Sequence, residues 1–140
     1  MTFKTIYIIV LIFSIVGVAF SGYLTYQNYS NEGCEEALIN CGVEPIEIFG
    51  LPTCLYGFVM FFIVAILSII LIQNQNKRPV LIATFVLSIV GTLFAGSLTY
   101  YEMAVQGADT LPACAYGGML YLLILVFCWI AVAKPTSLQI

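Results

Sequence analysis

Cysteine is the residue type in this chain most able to do chemistry: five occur in 140 residues, at positions 34, 41, 54, 114 and 128. There is no histidine to accompany them. That removes His-ligated haem, imidazole zinc sites, Cys-His and Ser-His catalysis, and any histidine pH switch. Thiols can still form, break and exchange disulfides, and so carry electron pairs. Cys34 and Cys41 share a stretch with Glu32, Glu35 and Glu36. Negative neighbours disfavour a thiolate, so neither is a strongly activated nucleophile alone. The pair reads either as a mobile relay, which needs access more than acidity, or as a staple that orders its loop. A four-cysteine metal site is a third option, but no CxxC knuckle supports it, and the expected metal content is none.

Cys54 and Cys114 have a different setting. They sit in Leu51-Pro52-x-Cys54-x-Tyr56-Gly57 and Leu111-Pro112-x-Cys114-x-Tyr116-Gly117. Proline favours the first helical position. With Pro52 and Pro112 at N1, both cysteines fall at N3, where free N–H groups and the helix dipole stabilise a thiolate. A direct Cys54–Cys114 disulfide is then expected if their Cα atoms come within about 7 Å. Cys128 lies roughly 21 Å further along the same helix and reads as a small buried hydrophobe with no redox role. The four outer cysteines allow three pairings, and the sequence selects none of them.

The elements that must position these thiols are membrane spans. Of the residues, 62% are hydrophobic and 8% charged, far from the roughly 45–50% and about 25% of soluble domains. Four apolar stretches, at about 6–26, 52–72, 79–101 and 112–133, are each long enough to cross a hydrocarbon core of about 30 Å. The first is longer than a signal-peptide core and lacks a clear small-x-small cleavage site, so it reads as a permanent span. Lys4, Lys77, Arg78 and Lys134 all fall on one side of this topology. By the positive-inside rule both termini are cytoplasmic, and loops 27–51 and 102–111 are extracytoplasmic, where disulfides persist. The net charge of −3 excludes a nucleic-acid binder. All seven acids, Glu102 included, are assigned to those outer loops. With no ionisable side chain inside a span, a transporter or channel is disfavoured.

The two halves repeat. Ser14-Ile15-Val16-Gly17 recurs as Ser88-Ile89-Val90-Gly91, and Gly22-x-Leu24-Thr25-Tyr26 as Gly96-x-Leu98-Thr99-Tyr100. With the two cysteine motifs, this makes each half a two-span hairpin of the same orientation, related by a pseudo-twofold axis along the membrane normal. Gly17, Ser21, Gly91 and Ala95 have the spacing that lets helices approach closely in lipid. The expected fold is an all-α, integral-membrane four-helix bundle, one domain over residues 1–140, built from two duplicated helical hairpins.

The run Gly17 to Tyr26, followed by Cys34, Cys41, Phe49-Gly50-Leu51-Pro52 and Tyr56-Gly57-Phe58, resembles the first half of the vitamin K epoxide reductase family. Leu98-Thr99-Tyr100 and the cysteine motif opening the last span extend the resemblance over roughly residues 10 to 130. Bacterial disulfide-bond formation B proteins are functionally similar. The resemblance implies a four-helix membrane enzyme that oxidises dithiols and passes two electrons to a quinone of the ubiquinone or menaquinone type. It also maps the family's loop pair onto Cys34 and Cys41. The family opens its last span with CxxC, whereas this chain reads Cys114-Ala115-Tyr116-Gly117, and its loop from Cys41 to Phe49 is short. Either the reactive pair is rebuilt as Cys54–Cys114, or quinone chemistry is lost.

The reading that follows is a membrane thiol–disulfide oxidoreductase. Electrons pass from a secreted or periplasmic thioredoxin-fold dithiol through Cys34/Cys41 and Cys54/Cys114 to a membrane quinone, the cofactor supplying the two-electron chemistry. Tyr56 and Tyr116 are candidates to line a quinone pocket, although tyrosine at an interface also serves as an anchor. The alternative is a non-catalytic tetraspan subunit or assembly factor with structural disulfides.

Overall fold

The computed structural model describes residues 2–29, 47–105, 107 and 113–134. Cys34 and Cys41 lie outside the described residues. Four helices are present: α1 (Phe3–Tyr29), α2 (Thr53–Gln73), α3 (Arg78–Ala104) and α4 (Ala113–Ala133). Each is long and apolar enough to cross a membrane. α1 packs on α2 and α3 on α4, and the two hairpins meet through α1–α4 and α2–α3. The described fold is thus all-α apart from a two-residue antiparallel ribbon, β1 (Glu47–Ile48) and β2 (Leu51–Pro52).

The outside of the bundle is as apolar as its inside. Ile12, Ile15, Phe62, Leu93 and Trp129 are exposed, while Ile6, Val10, Phe61, Val64 and Ile124 are buried. A helix apolar all round needs lipid or protein on every face. Hydroxyls inside such helices must find partners locally. Ser14, Ser68, Thr84 and Ser88 each donate to the carbonyl one turn earlier, of Val10, Val64, Val80 and Thr84.

The glycines of the repeat have a specific task. A Cβ at Gly91 would come within 2.6 Å of the Tyr121 ring, and one at Gly17 would overlap Phe61. These positions therefore make room for an aromatic ring of the neighbouring helix in the same hairpin, rather than for a close backbone crossing. The two rings so admitted stack on each other, centroids 4.1 Å apart and planes 17° from parallel. Without water to drive association in lipid, this kind of contact packing holds helices together.

Two expectations need correction. The ribbon turns through Phe49 (φ 54°) and Gly50 (φ 76°), both left-handed as a type I′ turn requires. It leads directly into α2, so Pro52 belongs to the ribbon and Cys54 is the second helical residue, not the third. Cys114 is likewise the second residue of α4. Glu102 is also misplaced by the sequence reading. It lies inside the last turn of α3, and is only 3% exposed. An ionisable side chain therefore does sit within a candidate span.

Charge separates cleanly along the bundle. Lys134 Nζ lies 5.1 Å from the centre of the Phe3 ring, bringing the end of α4 to the start of α1. Lys4 stands beside them in sequence, and Lys77 and Arg78 occupy the α2–α3 turn at the same end. Cys54, Cys114 and Glu102 are at the other.

Candidate functional site

At that opposite end the four helices enclose a cavity of about 50 Å³. Its lining is nearly symmetric about the bundle axis. Phe20 and Phe94, Ser21 and Ala95, Leu24 and Leu98, Cys54 and Cys114, Gly57 and Gly117, and Phe61 and Tyr121 face it in equivalent pairs. Thr53 completes the wall. Each cysteine precedes its stacked aromatic by seven residues, two helical turns or about 10.5 Å, so the Phe61–Tyr121 stack lies well below the thiols.

Of the two roles open to Tyr56 and Tyr116, lining the cavity is not the one observed. They brace it from behind. Tyr56 meets Phe94 edge-on at 6.5 Å and 63°, and Tyr116 meets Phe20 at 6.2 Å and 60°. Such tilted aromatic pairs contribute about 0.5–1.5 kcal/mol beyond area burial. They fix the two phenylalanine walls in equivalent orientations.

Cys54 and Cys114 are both half-buried free thiols, and Cys128 is a fully buried one. In this structure the first two are not joined as a disulfide. They share the cavity and lie within electrostatic range of each other. Cys114 Sγ donates to Glu102 Oε1 at 3.9 Å. The hydrogen-bond partner of that thiol is therefore a carboxyl group, not a cation, which the helix-terminus argument did not anticipate. Glu102 Oε2 and the Tyr121 hydroxyl are buried with no hydrogen-bond partner. Sequence reasoning missed both Glu102 and Tyr121. The signal for Glu102 was present: Met103, Ala104 and Val105 continue the apolar run past it.

Four candidate spans, two thiols over one apolar cavity and a bundle of paired hairpins describe a membrane thiol protein. The model of the vitamin K epoxide reductase family matches residues 8–132. The chain belongs to this family. Members of the vitamin K epoxide reductase family are membrane thiol–disulfide oxidoreductases generally linked to a quinone. With its four candidate spans, this member is a multi-pass integral membrane protein. No curated protein and no solved structure matches the chain. Among the described residues no group of three or more His, Cys, Asp or Glu could hold a metal ion.

Proposed function

We propose that this chain oxidises an extracytoplasmic dithiol and delivers the electron pair to a membrane quinone, with Cys54 and Cys114 as the quinone-proximal pair. The observation that carries this reading is the placement of two equivalent thiols in one apolar cavity, at the end of the bundle away from every cation. By the positive-inside rule the cationic end is cytoplasmic, so both termini are inside. The cavity then opens its chemistry to the compartment where disulfides persist. In this reading residues 1–140 are one membrane domain, with the α1–α2 and α3–α4 connections on the thiol side.

The electron path follows from thiol exchange. A thioredoxin-fold dithiol reduces the Cys34–Cys41 disulfide and is itself oxidised. The resulting loop dithiol then reduces a Cys54–Cys114 disulfide, each exchange moving two electrons and two protons. When bound, a quinone supplies the acceptor for that pair of electrons and protons. Whichever position of the family's CxxC Cys114 represents, α4 carries one thiol at this end, and α2 provides its partner from the duplicated motif.

The lining suits a quinone in kind. Phe20, Phe94, Leu24 and Leu98 offer flat and apolar walls, and Tyr121, whose buried hydroxyl has no partner, is among the lining residues. In size the cavity is contracted. Its volume of about 50 Å³ is a third of the roughly 150 Å³ that admits a benzene ring. A ring enters only if the Phe20 and Phe94 walls part. This small volume is the observation that favours the second reading, a tetraspan subunit with structural disulfides.

Reconstitution decides between the two. Full-length protein in vesicles containing ubiquinone or menaquinone is given a reduced thioredoxin-fold substrate, and thiol loss and quinol formation are followed together. One quinol per dithiol is expected, with Cys54→Ser or Cys114→Ser each abolishing it. Wild-type rates in both variants would leave the structural reading in place.

A further inference from the structure

We infer that Glu102 is the proton acceptor for the Cys114 thiol, which makes Cys114 the base-assisted member of the pair and Cys54 its unassisted partner. This rests on the proposed oxidoreductase reading and adds a catalytic residue to it. Glu102 touches the reacting atom: its Oε1 accepts the Cys114 Sγ–H hydrogen bond at 3.9 Å. It is 97% removed from solvent, and its second oxygen is buried without a partner. A buried carboxyl held by one weak thiol donor is a poor structural element, since burial of a carboxyl group calls for strong pairing. No cation provides that pairing. Arg78, on the same helix, is about 36 Å away along the axis, and Lys4, Lys77 and Lys134 share its end of the bundle.

The position of Glu102 relative to the cavity is informative. Cys114 lines the cavity and Glu102 does not. The thiol thus stands between an apolar chamber suited to the electron acceptor and a carboxyl suited to the proton. Cys54 has no such neighbour within hydrogen-bonding reach among the described residues. The residue equivalent to Glu102 in α1 is Asn28, which cannot accept a proton at neutral pH.

The step balances as follows. The Cys114 S–H bond breaks and a Glu102 O–H bond forms. The Cys114 sulfur then bonds to the Cys54 sulfur, and the electron pair and the two thiol protons, one of them held by Glu102, would leave to a two-electron acceptor of the quinone class. In the opposite half-cycle, as the loop dithiol opens the Cys54–Cys114 disulfide, Glu102 returns a proton to the departing Cys114 sulfur. Protonation at that sulfur avoids leaving a thiolate beside the Glu102 carboxylate.

A test needs neither partner nor quinone. Full-length protein with Cys34, Cys41, Cys54 and Cys128 replaced by Ser retains Cys114 alone, and a sister protein retains Cys54 alone. Each is treated in lipid nanodiscs with methyl methanethiosulfonate, which transfers CH3S to the thiol and releases methanesulfinate. Glu102→Gln is expected to slow Cys114 modification at least about 10-fold, a conservative share of the roughly 10²–10⁴ of general-base catalysis. Glu102→Asp should restore part of the rate, and the Cys54 rate, on which Glu102 acts only as a nearby like charge, should not fall. A carboxylate acting only as a like charge gives the opposite sign: Glu102→Gln would then speed Cys114 modification, overturning the assignment. An unchanged Cys114 rate, or equal slowing of both thiols through local collapse, overturns it as well. Should the Cys114 rate fall as expected while quinone-linked turnover is absent in vesicles, the base assignment stands and the oxidoreductase reading fails.

Discussion

The hairpin of α1 and α2 and the hairpin of α3 and α4 are built on one plan but furnished differently. Where the plan concerns packing, the copies agree. Gly17 admits Phe61 as Gly91 admits Tyr121, Phe20 leans on Tyr116 as Phe94 leans on Tyr56, and Ser14 and Ser88 are both fully buried. Where polar chemistry is concerned, they diverge. The second hairpin carries Glu102 against Asn28, Tyr121 against Phe61 and Cys128 against Ser68. Thus a symmetric scaffold supplies two equivalent thiols, and asymmetry in the second copy distinguishes one from the other. Two identical thiols have no assigned order of reaction; a carboxyl beside one of them assigns it.

The largest effect should come from erasing that asymmetry. Glu102→Asn gives α3 the residue α1 has, and vesicle turnover should fall about 100-fold, the lower end of general-base contributions. Protein yield and melting in detergent should stay close to the parent, since the carboxyl makes one weak hydrogen bond. A variant that melts early would make Glu102 a structural residue, and a variant with parental turnover would leave the second hairpin chemically equal to the first.

The scaffold itself is tested by Gly17→Ala and Gly91→Ala. Each new Cβ meets a buried ring, Phe61 or Tyr121, that is itself locked in the central stack. Overpacking of this kind costs about 1–3 kcal/mol. Because the sites are equivalent, the two losses, read from thermal or denaturant unfolding in detergent, should be alike. A large loss at one position and none at the other would show that the halves pack by different rules.

The scaffold was legible in the sequence for a physical reason: lipid demands long apolar helices, and four such stretches stand out in the chain. The repeat is visible as strings such as Ser-Ile-Val-Gly, and it pairs Cys54 with Cys114, which line one cavity in the fold. What the strings hid was direction. For Tyr56 and Tyr116 the sequence leaves both cavity lining and anchoring open, and helical phase decides by turning them onto the backs of Phe94 and Phe20. Gly17 and Gly91 were read as helix-crossing sites, but they accommodate rings. Pro52 was read as the first helical residue, but the Phe49–Gly50 turn draws it into a ribbon. Glu102 was lost to a span boundary set where hydropathy falls, although the helix runs on to Ala104 and carries the carboxyl into the bundle.

The smallest effect lies at the central stack, where Tyr121 differs from its counterpart Phe61 by one hydroxyl. That hydroxyl is buried with no partner, while the ring lines the cavity. An unsatisfied buried polar group costs about 1–3 kcal/mol, so Tyr121→Phe should stabilise the quinone-free protein, by about 1 kcal/mol. In the proposed function a bound quinone oxygen would supply the missing acceptor. A hydrogen bond is worth about 0.5–1.5 kcal/mol net, so the same variant should bind quinone up to about 10-fold more weakly. Melting without quinone and equilibrium binding with it therefore move in opposite directions. A variant that is less stable and binds quinone as well as the parent would mean that the hydroxyl serves the stack alone, and that the two hairpins are alike at the floor of the cavity.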